Sequence, residues 1–337
     1  MPQKRILPLV SVVCLATILI AQKLPPNLTT QQDKLKQTLT VAKDPPLVAI
    51  GETSRLEFHV SPLSGQGLLS QQTRDALKNI LKLNGGEPII HIRAFSAGNG
   101  DVRRIPQIVS DVLADRHWPL PSVSVIQAGA LTLDDAQIVL ETISLSKKDV
   151  NKDGLSFHPA EAVVATEPES PVKLLLQKSL DQLAAKMTGA PLSVTCYVSD
   201  LSNSADLLNM LKARFSAAAM NLVQPRRLPW QTEAACEGVS RGGPAPPRMA
   251  FTGTQIAFGM EEKDAVLAVQ RLERALSEAG APHTAQATLA RFYALSPNSA
   301  ALALKQVEGL ASKTAIPVEG VGSAAAGFSM DAVASVR

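Results

Sequence analysis

From Val266 onward, apolar residues recur at three- and four-residue steps: Val266, Val269, Leu272 and Leu276 share one helical face, and Gly280 ends the run. Upstream, "FTGTQIAFG" reads as a short apolar strand broken by Gly253 and Gly259. The same succession occurs twice earlier. "RLEFHVSPLSG" precedes a stripe of Leu77, Ile80 and Leu81; "PIIHIRAFSAG" then reads as a buried strand and "SVSVIQAGALTLDDAQIVLETIS" as a closing hairpin. A second pass runs from "GLSFHPAEAVV" through Leu176, Leu180, Leu183 and Met187 to "LSVTCYVSDL", closing with "AMNLVQP" and "AACEGVS". The third continues from Phe251 into "ATLARFYALS", "AIPVEGVG" and "SMDAVASV".

The expected fold class is therefore α/β (α+β), with the order strand, helix, strand, helix, hairpin written three times. Acidic residues mark matching places in the three final strands: Glu141, Glu237 and Asp331, at separations of 96 and 94 (237 − 141 and 331 − 237). The expected repeats are 46–148, 149–241 and 242–337. Aromatics recur as well, with Phe58, Phe157 and Phe251 in the first strands and Phe95, Tyr197 and Phe292 in the central ones. At 4% of the chain, such placement predicts ring anchors in the cores.

Composition adds a compartment and removes some partners. "MPQKRILPLVSVVCLATILIA", residues 1–21, has the basic start, apolar stretch and small final residue of a secretory signal, so a secreted or periplasmic location is expected. Leu19 is a poor residue three places before a cut after Ala21, which leaves an uncleaved anchor as the alternative; Val13 before Cys14 argues against lipid attachment. Residues 22–45, with a proline pair at Pro25–Pro26, read as a tether running up to Pro45–Pro46. The net charge of +3 falls to 31 basic against 30 acidic residues once the leader, with Lys4 and Arg5, is removed. That balance gives no electrostatic case for nucleic acid or an anionic membrane.

Together "FTGTQIAFG…AVQRLERALSEAGA", "LSVTCYVSDLSNSADLLNMLKARF" and "SVSVIQAGALTLDDAQIVLETIS" resemble the RidA (YjgF) family of enamine and imine deaminases. The resemblance spans about Pro46 to Arg337 through diffuse patterns. It implies chorismate-mutase-like β-α-β-α-β-β units that normally assemble as homotrimers with ligand clefts between subunits. Three units in one chain would form that trimer internally, as a monomer.

The family's chemistry uses an arginine on the first hairpin strand to grip a carboxylate, and an acid on the last strand near the attacking water. By the resemblance the arginine position falls on Pro121, Met220 and Ala315, none of which can bind a carboxylate through its side chain. The acid survives as Glu141, Glu237 and Asp331, read either as cleft groups of catalytic type or as plain strand carboxylates. Arg116, Arg226 and Arg227 lie near enough in sequence to be substitutes. The expectation is a small-metabolite or reactive-species binding module at the inter-repeat clefts, needing no cofactor. The alternatives are a hydrolase with relocated groups and a structural or protein-interaction role.

Other stretches are weaker. Asp149, Asn151, Asp153 and Gly154 fit the start of a calcium loop, but Ala160 stands at position twelve and Glu161 one residue late, so a tight inter-repeat turn is the favoured reading and no metal is expected. "GVGSAA" at 320–325 leads into a strand, and a dinucleotide loop needs a helix there. His59, His91, His117, His158 and His283 have no metal-ligand spacing, and no serine carries a nucleophile signature. Cys196 and Cys236 fall on strands that the resemblance makes neighbours, leaving a disulfide or two apolar thiols open.

Overall fold

The computed structural model describes residues 48–51, 56–98, 100–116, 118, 120–145, 154–167, 170–226, 231–241, 249–281, 287–307, 309–310 and 312–336. The signal, the tether and the calcium-loop residues Asp149, Asn151 and Asp153 lie outside the described residues, as do His117, Arg227 and His283.

After a short strand β1 (Val48–Gly51), the chain runs β2 (Leu56–Val60), α1 (Leu69–Leu83), β3 (Ile89–Ser96), α2 (Arg104–Ala114), β4 (Ser122–Gln127) and β5 (Ile138–Leu145). A second unit follows: β6 (Leu155–Val164), α3 (Val172–Lys186), β7 (Pro191–Val198), α4 (Ser204–Arg214), β8 (Ala219–Gln224) and β9 (Glu233–Arg241). The third has a broken first strand, β10 (Met249–Thr252) and β11 (Gln255–Phe258), then α5 (Glu262–Glu278), β12 (Ala287–Ala294), α6 (Pro297–Lys305), β13 (Lys313–Pro317), β14 (Gly320–Val321) and β15 (Ala326–Ser335).

Each unit forms its own sheet around one central strand. β3, β7 and β12 pair in parallel with β4, β8 and β13, across α2, α4 and α6. Parallel neighbours need such a crossover. On their other side the central strands pair antiparallel with β5, β9 and β15, and the unit's first strand adds beyond that.

Alternation along the central strands assigns the two faces. Ile92 and Ala94, Val194 and Cys196, and Ala290 and Phe292 point to the helices of their own unit, where three separate cores form. The α5 stripe is the clearest case: Val269, Leu272 and Leu276 are buried with Ala265 and Ala268, and Gly280 follows at φ 84°, the left-handed residue that ends a helix. The opposite faces carry residues of all three units. One shared cluster contains Phe95, Tyr197, Tyr293, Ile126, Val223 and Ile316; the other contains Phe58, Ile143, Val239, Phe251, Leu289 and Val333.

The joins between units also recur. Ala160 N–H donates to Ser124 Oγ (3.0 Å), Thr254 donates through N–H to Met220 O (3.1 Å) and through Oγ1 to Asn221 Oδ1 (2.7 Å), and Ser312 Oγ donates to the Phe58 carbonyl. In each case the parallel outer strand of one unit, or the residue just before it, meets the first strand of another.

Three expectations need correction. Val48–Gly51 was expected in the first repeat, yet β1 pairs antiparallel with β10 at the edge of the third sheet. Without it the outer backbone groups of β10 would lack ladder partners. Phe292 faces its own helices and stacks edge-on with Phe328, so the equivalent of Phe95 and Tyr197 is Tyr293, one residue on. Pro121, Met220 and Ala315 do not share one register: opposite Arg93, Thr195 and Arg291 stand Ser124, Asn221 and Thr314. A one-residue slip reverses which face a strand residue occupies. Cys196 and Cys236 are direct cross-strand partners and are joined as a disulfide.

Candidate functional site

Two places in the molecule carry chemistry: the centre, where the three sheets meet, and a groove on the first unit. At the centre the inward residues form layers, because every second residue of a strand faces the same way. Phe95, Tyr197 and Tyr293 make the first layer, edge to face with centroids 6.2 to 6.5 Å apart. Two residues back along each central strand stand Arg93, Thr195 and Arg291. Their cross-strand partners are Glu141, Glu237 and Asp331, one per unit and in the same register. Beyond them Phe58, Phe157 and Phe251 face Ile143, Val239 and Val333.

The expected cleft acids are therefore in the interior: Glu141, Glu237 and Asp331 are 1–3% exposed. Such carboxylates need partners, and the partners are two arginines. Arg93 donates through Nη1 to Glu141 Oε2 (2.7 Å) and through Nε to Glu237 Oε1 (2.5 Å), linking units one and two. Arg291 grips Asp331 Oδ1 with Nε (2.7 Å) and Nη2 (2.6 Å), and its Nη1 lies 3.8 Å from Glu141. Tyr197 donates to Glu237 (2.9 Å), and its hydroxyl is 3.3 Å from that of Tyr293. One oxygen of each acid, Glu141 Oε1, Glu237 Oε2 and Asp331 Oδ2, is buried without a protein hydrogen-bond partner.

Electrostatics distinguish the acids. Burial pushes Glu141 up, and Arg93 and Arg291 do not bring it back. For Glu237 burial acts the same way, but the Arg93 guanidinium together with His91, Ser124 and Arg291 more than reverses it, and the group is held below the usual range. Burial pushes the Tyr197 phenol far up. Burial also lowers His91 to about 3, so it is neutral; its Nδ1 shares a 2.7 Å hydrogen bond with Ser122 Oγ, and its ring stacks on Phe157 at 5.5 Å. An imidazole so hard to protonate is a poor base, so the His91–Ser122 pair makes no nucleophile. A cavity of about 30 Å³ touches Arg93, Glu141, Arg291 and His91, large enough for a water molecule.

Of the substitute arginines, Arg116 and Arg226 do not reach this centre, and Arg227 lies outside the described residues. Arg226 lies 3.8 Å from Glu233, and Arg116 packs over Trp118 at 6.0 Å. Sequence reasoning missed Arg93 and Arg291. The signal was present in "HIRAF" and "LARFY", where an arginine interrupts a buried strand two residues before an aromatic. Among the described residues no group of His, Cys, Asp and Glu is arranged to hold a metal ion. Gly320–Val321 forms β14 and pairs with β8, so the glycine motif joins two units by strand pairing and makes no phosphate loop.

The groove, of about 680 Å³, is walled by the start of α1 (Leu68–Ser70), residues following β3 (Ala97, Gly98, Gly100, Asp101 and Arg104) and the β4–β5 connection (Gly129–Leu131 and Leu133–Gln137). Its floor is apolar, from Leu69, Ala97, Leu131 and Ala136, and its rim holds Asp101, Arg104, Asp134 and Asp135.

No protein-family model and no curated protein matches this chain. Among solved structures, a cyanuric acid hydrolase from A. caulinodans is similar at 12% identity and a TM-score of 0.46, over 84% of this chain and 99% of that one. A Rid-family protein of unknown function from Yersinia pestis is similar at 21% identity and a TM-score of 0.23, over 28% of this chain and 80% of its own. A putative translation initiation inhibitor from Salmonella typhimurium is similar at 13% identity and a TM-score of 0.24, over 27% of this chain and 82% of its own.

Proposed function

We propose that this chain is an exported, internal pseudo-trimer of RidA-like units that binds a small molecule and does not hydrolyse imines. One observation carries the reading: the acids that would orient an attacking water are consumed internally. Glu141, Glu237 and Asp331 are sealed against Arg93 and Arg291, and the adjoining cavity has room for water only. A 2-imino acid brings a carboxylate of its own, which needs a free guanidinium in reach of solvent. Both central guanidiniums are buried and engaged, and Ser124, Asn221 and Thr314 stand at the matching place on the outer strands.

The groove on the first unit supplies the volume a small ligand needs, with an apolar floor and a few polar groups at the rim. Export is supported by the N-terminal sequence and by the Cys196–Cys236 disulfide, which an oxidising compartment preserves. No described helix is long and apolar enough to cross a membrane.

The test couples an amino-acid oxidase to this protein and follows decay of the imino acid it releases. The expected result is decay no faster than without protein, alongside a rise in melting temperature with a groove ligand. Faster decay that is lost in Glu237→Gln would overturn the reading.

A further inference from the structure

The groove's walls specify a charge. Asp101 is paired with Arg103 at 2.8 Å, whereas Asp134 and Asp135 have no ion-pair partner among the described residues. Against the two free carboxylates the lining offers one cation, Arg104. Leu68 and Leu133 stand at the rim 78% and 44% exposed, so apolar surface continues from the floor to beside the two acids.

These walls are built in advance of any ligand. Gln72 of α1 is buried; its Nε2 donates to the carbonyls of Gly67 (3.1 Å) and Asp135 (3.0 Å), and its Oε1 accepts from Gln137 N–H (2.8 Å). One side chain thereby holds the helix entry and the Asp134–Asp135 turn together. Two close approaches fix the rest: a Cβ on Gly65 would meet Asp134 O at 2.7 Å, and one on Gly100 would meet Leu69 Cδ2 at 2.6 Å. A preformed site spends little of its binding energy on ordering its own loops.

From this arrangement we infer that the groove takes a small organic cation, an amine or amidine whose charged end meets Asp134 and Asp135 and whose apolar body lies over Leu69, Leu131 and Leu133. The inference rests on the binding reading above and names the ligand class. An anion is disfavoured because it would bring a third negative charge to two that are already unpaired. Arg104 lines the same groove and makes no ion pair with either aspartate.

Three probes of nearly one shape separate charge from shape: benzylamine, benzyl alcohol and benzoate, titrated by calorimetry into the full mature chain at low salt. Benzylamine is expected to bind, and the alcohol and the acid to bind at least about tenfold more weakly, as for loss of a charge-assisted hydrogen bond. Asp134→Asn and Asp135→Asn lie at exposed positions, so the fold tolerates them, and each is expected to weaken benzylamine about tenfold. Equal binding of alcohol and amine, or binding unchanged in both variants, overturns the cation inference while leaving a binding protein. Absence of any benzylamine binding overturns it as well. Accelerated imino-acid decay in the coupled assay would separately remove the function on which it rests.

Discussion

At the scale of single residues, the central cluster has a charge count that only a proton can balance. Three carboxylates face two guanidiniums, so full ionisation leaves one negative charge in the buried interior, at high cost. Geometry singles out the acid with the weakest hold on its charge: Asp331 Oδ1 takes two short bonds and Glu237 Oε1 takes an arginine and a tyrosine, while Glu141 has one arginine bond and a second guanidinium at 3.8 Å. Burial pushes Glu141 up in agreement. The neighbours facing it from other strands are Arg93 and His91 on β3, Glu237 on β9, and Arg291 and Asp331 on β12 and β15. A raised folded pKa means the native state keeps a proton that the unfolded chain loses. Stability from this group is therefore complete below the unfolded carboxylate pKa and is lost as pH rises through the folded value. Infrared spectroscopy of the native protein at neutral pH should show a protonated-carboxyl stretch that disappears in Glu141→Gln, with the fold retained. His91 has the opposite sign. Its pKa of about 3 lies below the unfolded 6.5, so its contribution is complete above 6.5 and declines as pH falls toward 3. Denaturant titrations of His91→Asn and the parent between those limits should converge toward acid pH.

Elements show why one part of this was readable from sequence and another was not. The stripes of α1, α3 and α5 were legible because burial on one helical face forces three- and four-residue spacing, and Leu77, Leu180 and Leu272 are buried as that spacing requires. The acids were legible because each occupies the same register opposite its central strand, so Glu141, Glu237 and Asp331 recur at nearly constant separation. Strand residues are harder. Two neighbours differ by a whole face, and Phe292 and Tyr293 are both aromatic, so type alone could not place them. Arg93 and Arg291 escaped because Thr195 breaks the repeat, and a pattern present in two units of three reads as chance. The function of Gln72 was hidden for another reason: its bonds reach Asp135 and Gln137, more than 60 residues away. Replacing it by leucine removes the partner of the Gly67 and Asp135 carbonyls and of the part-buried Gln137 N–H, a loss of about 1–3 kcal/mol. Urea unfolding of Gln72→Leu should show that loss, together with weakened binding in the groove of a variant that is still folded.

For the whole molecule, the decisive fact is that each sheet has a private face and a shared one. The private cores draw on one unit each, whereas the two clusters between sheets need all three, and Arg93 spans from Glu141 in the first unit to Glu237 in the second. A unit cut out alone would expose the face that carries Tyr197, Val223 and Val239, and would take Arg93 away from Glu237. An uncovered apolar sheet face of that kind associates with copies of itself. The full mature chain has already covered its own, so light scattering should return the mass of one chain at micromolar concentration. Residues 154–241 expressed alone should be recovered as a trimer or as aggregate. Arg93→Met tests the same closure from within. It strips two acids in different units of their common cation, and breaking a buried pair in this way costs about 3–5 kcal/mol. If the units were independently stable, the variant would unfold in separate steps with one transition unmoved. Closure around a common centre instead predicts a single transition shifted as a whole, measured as one coincident loss of near- and far-ultraviolet circular dichroism.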